Sequence, residues 1–120
     1  MDVEHEAVLI RIAENESKFR AQNEKIESTA ESIGMIVESV PFVCECPNPD
    51  CIEIVRLTLS DYEEIRTNPT RFFCVPGHQG IATNAGAAVV VEVRDDLVLA
   101  DKIGIAGEIA AAHHGEELVS

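Results

Sequence analysis

The chain has no tryptophan, one tyrosine and four phenylalanines in 120 residues, so a core built on large rings is not expected; Ile, Val, Leu and Ala have to fill it. It is also short of positive charge. Nine Lys and Arg stand against 22 Asp and Glu, a formal net charge of −13, and the nine are scattered singly with no basic stripe. Nucleic-acid affinity comes largely from neutralising phosphates, so this balance argues against a nucleic-acid partner, and anionic membrane surfaces are disfavoured for the same reason. An acidic surface can attract a basic partner protein, or simply keep the chain soluble, which is the plainer reading. No apolar run approaches the ~20 residues that cross a bilayer. The opening "MDVEHEAV" lacks the basic stretch and apolar run of a secretory signal. The expected location is therefore cytoplasmic, where thiols are usually kept reduced.

What is present fits one domain. Hydrophobic residues make up 46% and charged residues 26%, an ordinary globular balance. Residues 4–33 contain neither Pro nor Gly and predict a long helix ended by Gly34. Its apolar stripe is Ile12, Phe19, Ile26 and Ile33, spaced at sevens and widened by Val8, Leu9 and Ala30. Asn15, Gln22 and Thr29 stand where a coiled coil would place a second apolar residue, so the seam is thin. Such a helix either lies along its own domain or docks on a partner or a second copy. The only internal echo is Asn15-Glu16 against Asn23-Glu24.

Residues 35–47 read as extended, with Pro41 marking an edge or a strand start. "CIEIVRLTL" (51–59) reads as a second strand. "SDYEEIRTNP" reads as a short helix with Ser60 as N-cap and Glu63 completing a capping box. "RFFCV" (71–75) makes a third strand, closed by a Pro76-Gly77 turn, and "GHQGIATNAGA" follows as a loop. Residues 88–93 and 97–103 flank Arg94-Asp95-Asp96 as a β-hairpin. The fold class expected is α+β: a long N-terminal amphipathic helix (1–34), a body (35–103) with a small, mainly antiparallel sheet and a short inserted helix, and a C-terminal tail or short helix (104–120).

The chemistry concentrates in "FVCECPNPDC" (42–51), which holds three of the four cysteines. Side chains at i and i+2 of a strand share a face, so Cys44 and Cys46 point together, and the Pro-Asn-Pro-Asp turn returns Cys51 to them. Zinc takes four tetrahedral ligands. C-x-C-x4-C supplies three, and the fourth is either Cys74 or His78, which the "CVPGH" segment presents close together. Buried inert thiols are the bland alternative, but three in eight residues beside two prolines fit it poorly. The C-x-x-C redox hallmark is absent. An iron–sulfur cluster would require Cys74 as a ligand, and zinc is the favoured ion.

The stretch "FVCECPNPDCIEIVRLTLSDYEEIRTNPTRFFCVPGHQ" resembles a group of short, largely uncharacterised bacterial proteins. They share an amphipathic first helix, F-[LV]-C-E-C-x4-C, an L-T-L-x-x-Y-E-x-[IV]-R-x-x-P-x-R-F segment and P-G-H. The likeness covers roughly residues 10–78 and, more loosely, "VVVEV" and "GIAGEIA"; it is weakest just after His78. In that group the position of Cys74 need not be cysteine, whereas the Pro-Gly-His turn recurs. The resemblance thus implies Cys44, Cys46, Cys51 and His78 as a metal set, with Cys74 in the core. It implies a site and no reaction.

No catalytic residues are expected. Glu45 lies between two ligands, but on a strand it points to the other face and makes a poor base for a zinc-bound water. The zinc deaminase pattern fails for want of P-C-x-x-C. His5, His113 and His114 read as solvated. The expected function is a small regulatory or protein-interaction module with a structural zinc, its partner another protein met through the first helix, with oligomers left open. A redox-sensitive thiol and zinc switch is the alternative, and a small metallohydrolase the remotest reading.

Overall fold

The structure, a computed structural model, describes residues 3–32 and 39–119, with side chains described as far as 112. The Gly34 stop and the Ile33 end of the apolar stripe fall outside the described residues, as do the side chains of His113 and His114.

Helix α1 spans Val3–Ser32. Strands β1 (Val40–Val43) and β2 (Ile54–Leu57) form an antiparallel hairpin in which Val40 faces Leu57 and Val43 faces Ile54. Helix α2 (Leu59–Arg66) follows, then β3 (Arg71–Cys74), the short helix α3 (Gly80–Asn84), β4 (Ala88–Val93), β5 (Val98–Lys102) and helix α4 (Gly104–Val119). The second sheet runs β3-β5-β4, antiparallel throughout. The fold is α+β, with a long N-terminal helix and two small antiparallel sheets. The sheets are stitched together just past β1, where the Glu45 N–H donates to the Phe73 carbonyl at 2.9 Å.

Three local readings change. The cap of α2 is Thr58, whose hydroxyl accepts from the Asp61 N–H at 3.0 Å, so the helix starts two residues earlier than a Ser60 cap would allow. Part of the expected 77–87 loop is helical, as α3. The aromatics, though few, are all interior: Phe19, Phe42, Tyr62, Phe72 and Phe73 are each buried. Phe42 stacks on Tyr62 with ring centres 4.3 Å apart, and Phe73 meets both edge-on. Offset stacks and T-contacts of this kind add to simple area burial, so a handful of rings anchors a core otherwise made of Val, Leu and Ala.

Most of the apolar stripe of α1 is spent inside its own domain, though Val8 is half exposed. Leu9, Ile12 and Ala13 pack with Ala82, Ala88, Ala100 and Ala106. Further along, Ala30 and Ile26 join the cluster around the aromatic trio. Helix α4 runs against α1 and β5. A Cβ on Gly107 would sit 2.8 Å from the Lys102 carbonyl oxygen, so that close approach needs glycine. Among the described residues no helix is long and apolar enough to cross a membrane.

Candidate metal centre

Each of the four donors is positioned by a short local device. The first hairpin's pairing extends one residue past β1, with the Cys44 N–H donating to the Glu53 carbonyl at 3.0 Å. Then Asn48 shapes the turn: its side-chain oxygen accepts from the Asp50 N–H at 3.0 Å and its carbonyl accepts from the Cys51 N–H at 3.1 Å. This folds Cys51 back over Cys46. On the other side, the Val75 carbonyl accepts from the His78 N–H at 2.9 Å. Gly77 takes φ +98°, the left-handed conformation that favours glycine. The tight turn aims the imidazole at the thiols.

The result is a cluster in which one donor atom from each of Cys44, Cys46, Cys51 and His78 lies within 4.8 Å of all the others. His78 Nδ1 is 3.7 Å from Cys44 Sγ and 3.6 Å from Cys51 Sγ. A tetrahedral ion with metal–sulfur bonds of ~2.3 Å and metal–nitrogen bonds of ~2.0 Å spaces its S and N ligands about 3.5 Å apart. The donor set therefore has the size of a coordination sphere, and it could hold a metal ion. Cys44 and Cys46 are buried while Cys51 and His78 are half-buried, so the site is reached from the His78 side. The Val75 N–H donates to Cys44 Sγ at 3.3 Å, a contact that favours a sulfur bearing negative charge.

Electrostatics within the cluster point the same way. The hydrogen bond from the Cys44 thiol lowers Cys46 to about 5, while the same bond, followed by burial, pushes Cys44 up. Burial pushes Cys51 up as well. Ionisation of one thiol is thus favoured at the expense of its neighbours. A cation at their centre would remove that conflict by stabilising all three thiolates.

Cys74 stays outside this cluster. It lies in the core on β3, opposite Val98, and burial pushes its thiol up to about 12. Glu45 does point away from the thiols, into the interior. One carboxylate oxygen accepts from Arg66 Nη2 at 2.6 Å and from the Phe73 N–H at 3.3 Å; the other accepts from Asn23 Nδ2 at 2.8 Å. Arg66 lies 5.0 Å above the Tyr62 ring, and Arg71 is held by a two-pronged pair with Asp101 at 2.9 and 3.1 Å.

The residues that sequence reasoning passed over lie on α1. Asn15 Nδ2 donates to the Pro47 carbonyl at 2.9 Å. Asn23 grips Val43 through both its N–H, at 2.7 Å, and its carbonyl, at 2.8 Å. The following glutamates each meet a cation or a donor: Glu16 reaches Lys102 Nζ at 2.7 Å, and Glu24 accepts from the Tyr62 hydroxyl at 3.1 Å. The Asn-Glu echo at 15–16 and 23–24 was the available signal for all four contacts.

Two other features lie elsewhere. Glu27, Glu31 and Glu63 bring carboxylate oxygens together on the outer side, none of them buried. A groove of about 320 Å³ runs between α1 and β1, lined by Lys25, Ile26, Thr29, Ala30, Val40 and Pro41. Comparison with family models, with curated proteins and with solved structures returns no match for this chain.

Proposed function

We propose that this protein is a small cytoplasmic module built around one structural zinc ion, held by Cys44, Cys46, Cys51 and His78, and that it works by contact with another protein rather than by catalysis. The observation that carries the reading is the spacing of the four donor atoms, all within 4.8 Å, with sulfur–nitrogen separations of 3.6 and 3.7 Å. Thiolates with one imidazole suit zinc better than the hard cations, which prefer oxygen. Four protein donors make a closed site, the pattern of structural zinc, whereas catalytic zinc keeps a position for water. Glu45, which lies between two of the ligands in sequence, is committed to Arg66 and Asn23. The likeness of the C-E-C-x4-C…P-G-H segment to the short bacterial proteins supports the same ligand set.

The partner is a protein, since a charge of −13 opposes phosphate backbones and anionic lipid. Most of the apolar stripe of α1 is already packed, so contact through this helix uses its outward face, where the exposed Glu4, Glu6 and Glu14 stand among Arg11, Lys18 and Lys25. That face suits a partner surface of mixed charge.

Native mass spectrometry of tag-free protein tests the metal. One zinc per chain is expected, weakened by His78→Ala and untouched by Cys74→Ala. Metal-free protein with an intact fold would overturn the reading.

A second reading, a thiol switch, draws on the half-exposed Cys51 beside two further thiols. Two zinc-bound thiolates would lose two electrons to a peroxide and form one disulfide. The peroxide O–O bond would break to give two hydroxides, and zinc would leave. Zinc release within minutes of adding stoichiometric peroxide favours this reading; retention favours the purely structural one.

A further inference from the structure

Residues 43–47 carry Cys44 and Cys46, and α1 holds this segment at both ends. Asn23 bonds both backbone groups of Val43, at 2.7 and 2.8 Å, and Asn15 bonds the carbonyl of Pro47 at 2.9 Å. Between those grips, the Glu45 carboxylate is tied to Asn23 on α1, to Arg66 on α2 and to the Phe73 N–H on β3. The spacing matches. Eight residues of helix rise about 12 Å, and four steps of extended chain cover about 13 Å. The helix lies along the ligand segment as a ruler, running in the opposite direction.

We propose that Asn15, Asn23 and Glu45, none of them a ligand, are positioning residues of the metal centre, and that metal occupancy and docking of α1 stabilise one another. The inference rests on the metal reading above. With Val43 and Pro47 fixed, the Cys44 and Cys46 sulfurs are held where the ion needs them, so less ordering remains to be done on binding. Coupling is reciprocal by thermodynamic necessity: whatever affinity the helix lends to the metal, the metal returns as resistance of the helix to undocking. Groups that orient ligands from behind contribute about 10–100-fold in metal affinity.

The test is a zinc competition titration against a chromophoric chelator, with wild type, Asn23→Ala, Asn15→Ala and Ile12→Ala. Ile12 anchors α1 in the alanine-lined cluster and serves as a destabilised control with the grips intact. Asn23→Ala is expected to weaken zinc about 10–100-fold and Asn15→Ala several-fold, with Ile12→Ala, which loosens the helix but keeps the grips, weakening it less than either. Asn15 keeps the test decisive should Asn23→Ala fail to fold. Hydrogen exchange supplies the reciprocal arm: chelating zinc from wild type should speed exchange of the amides over residues 15–23 more than those of β5. Unchanged zinc affinity in both Asn variants, or equal exchange over 15–23 with and without zinc, overturns the coupling. Wild type that takes up no zinc overturns the metal reading instead.

Discussion

Glu45 and Arg66 form an ion pair 2.6 Å long with side chains 0% and 7% exposed. The residue between two candidate metal ligands is thereby the acceptor for a cation from α2. Removing one member of a buried pair leaves a stranded charge and typically costs about 3–5 kcal/mol, whereas replacing both by apolar groups can be nearly neutral. Glu45→Leu is therefore expected to lower unfolding free energy by roughly that amount. Glu45→Leu combined with Arg66→Met should be less destabilised than Glu45→Leu alone. Urea unfolding at saturating zinc measures these two and Arg66→Met alone, and a double variant as damaged as the sum of the singles would refute the pairing argument.

That pair also shows where sequence reading stops. Three of the clustered donors were legible because they are local: i and i+2 on a strand and a Pro-Asn-Pro-Asp turn fix the direction of Cys44, Cys46 and Cys51 within a few residues, whereas spacing alone left Cys74 and His78 open as the fourth. The hairpin of β4 and β5 and the long helix were legible through period and turn chemistry. Glu45 could be read as facing away from the thiols, but what it faces is set by α2, β3 and α1, up to 28 residues distant. The polar residues on the helix seam have the same explanation. Asn15, which makes a coiled coil improbable, is polar because it grips the Pro47 carbonyl. The α2 cap differs because Ser60, with Glu63 three residues on, is the stronger cap in sequence, and only the end of β2 at Leu57 favours Thr58.

Cys74 should behave as a core residue. Its thiol is pushed up to about 12 by burial, and the thiolate is the reactive form. With zinc chelated, brief alkylation at pH 8 is expected to modify Cys51 at least tenfold faster than Cys74, since Cys51 is half-buried and Cys74 5% exposed. Peptide mass spectrometry after timed quenching reads the ratio. Equal labelling would show that Cys74 is accessible and would remove it from the core.

Strand β4 is paired on one side only among the described residues, and Val89, Val90, Val91 and Val93 are 41–69% exposed. An open, valine-rich edge is a template for aggregation. Here the ladder is broken by a bulge between Val90 and Glu92, and Glu92 pairs with Arg94 just past the end of the strand. Bulges and edge charges are devices that block a further strand. Replacing Glu92 with Val and Arg94 with Thr should shorten the aggregation half-time several-fold at fixed protein concentration, as followed by light scattering. An unchanged half-time would show that the charges have no protective role.

The Glu16–Lys102 pair gives a pH dependence with a definite sign. Burial raises the Glu16 carboxyl from 4.5 to about 7, against the opposing pull of Lys102, with the Cys46 and Glu45 charges adding to the rise. Its folded-state value lies above its unfolded value, so the folded protein holds the proton more tightly. The stabilisation this contributes is fully present below pH 4.5 and is lost as pH climbs through about 7. Zinc ligation runs the other way, because thiolates and neutral imidazole compete with protons. Comparing wild type with Glu16→Gln at saturating zinc separates the two, since the ligands are common to both. Between pH 8 and pH 6 the Tm of wild type should rise relative to that of Glu16→Gln, whose amide does not titrate. Parallel Tm curves over that range would mean that Lys102 holds Glu16 ionised throughout, and that burial of this pair carries no proton linkage.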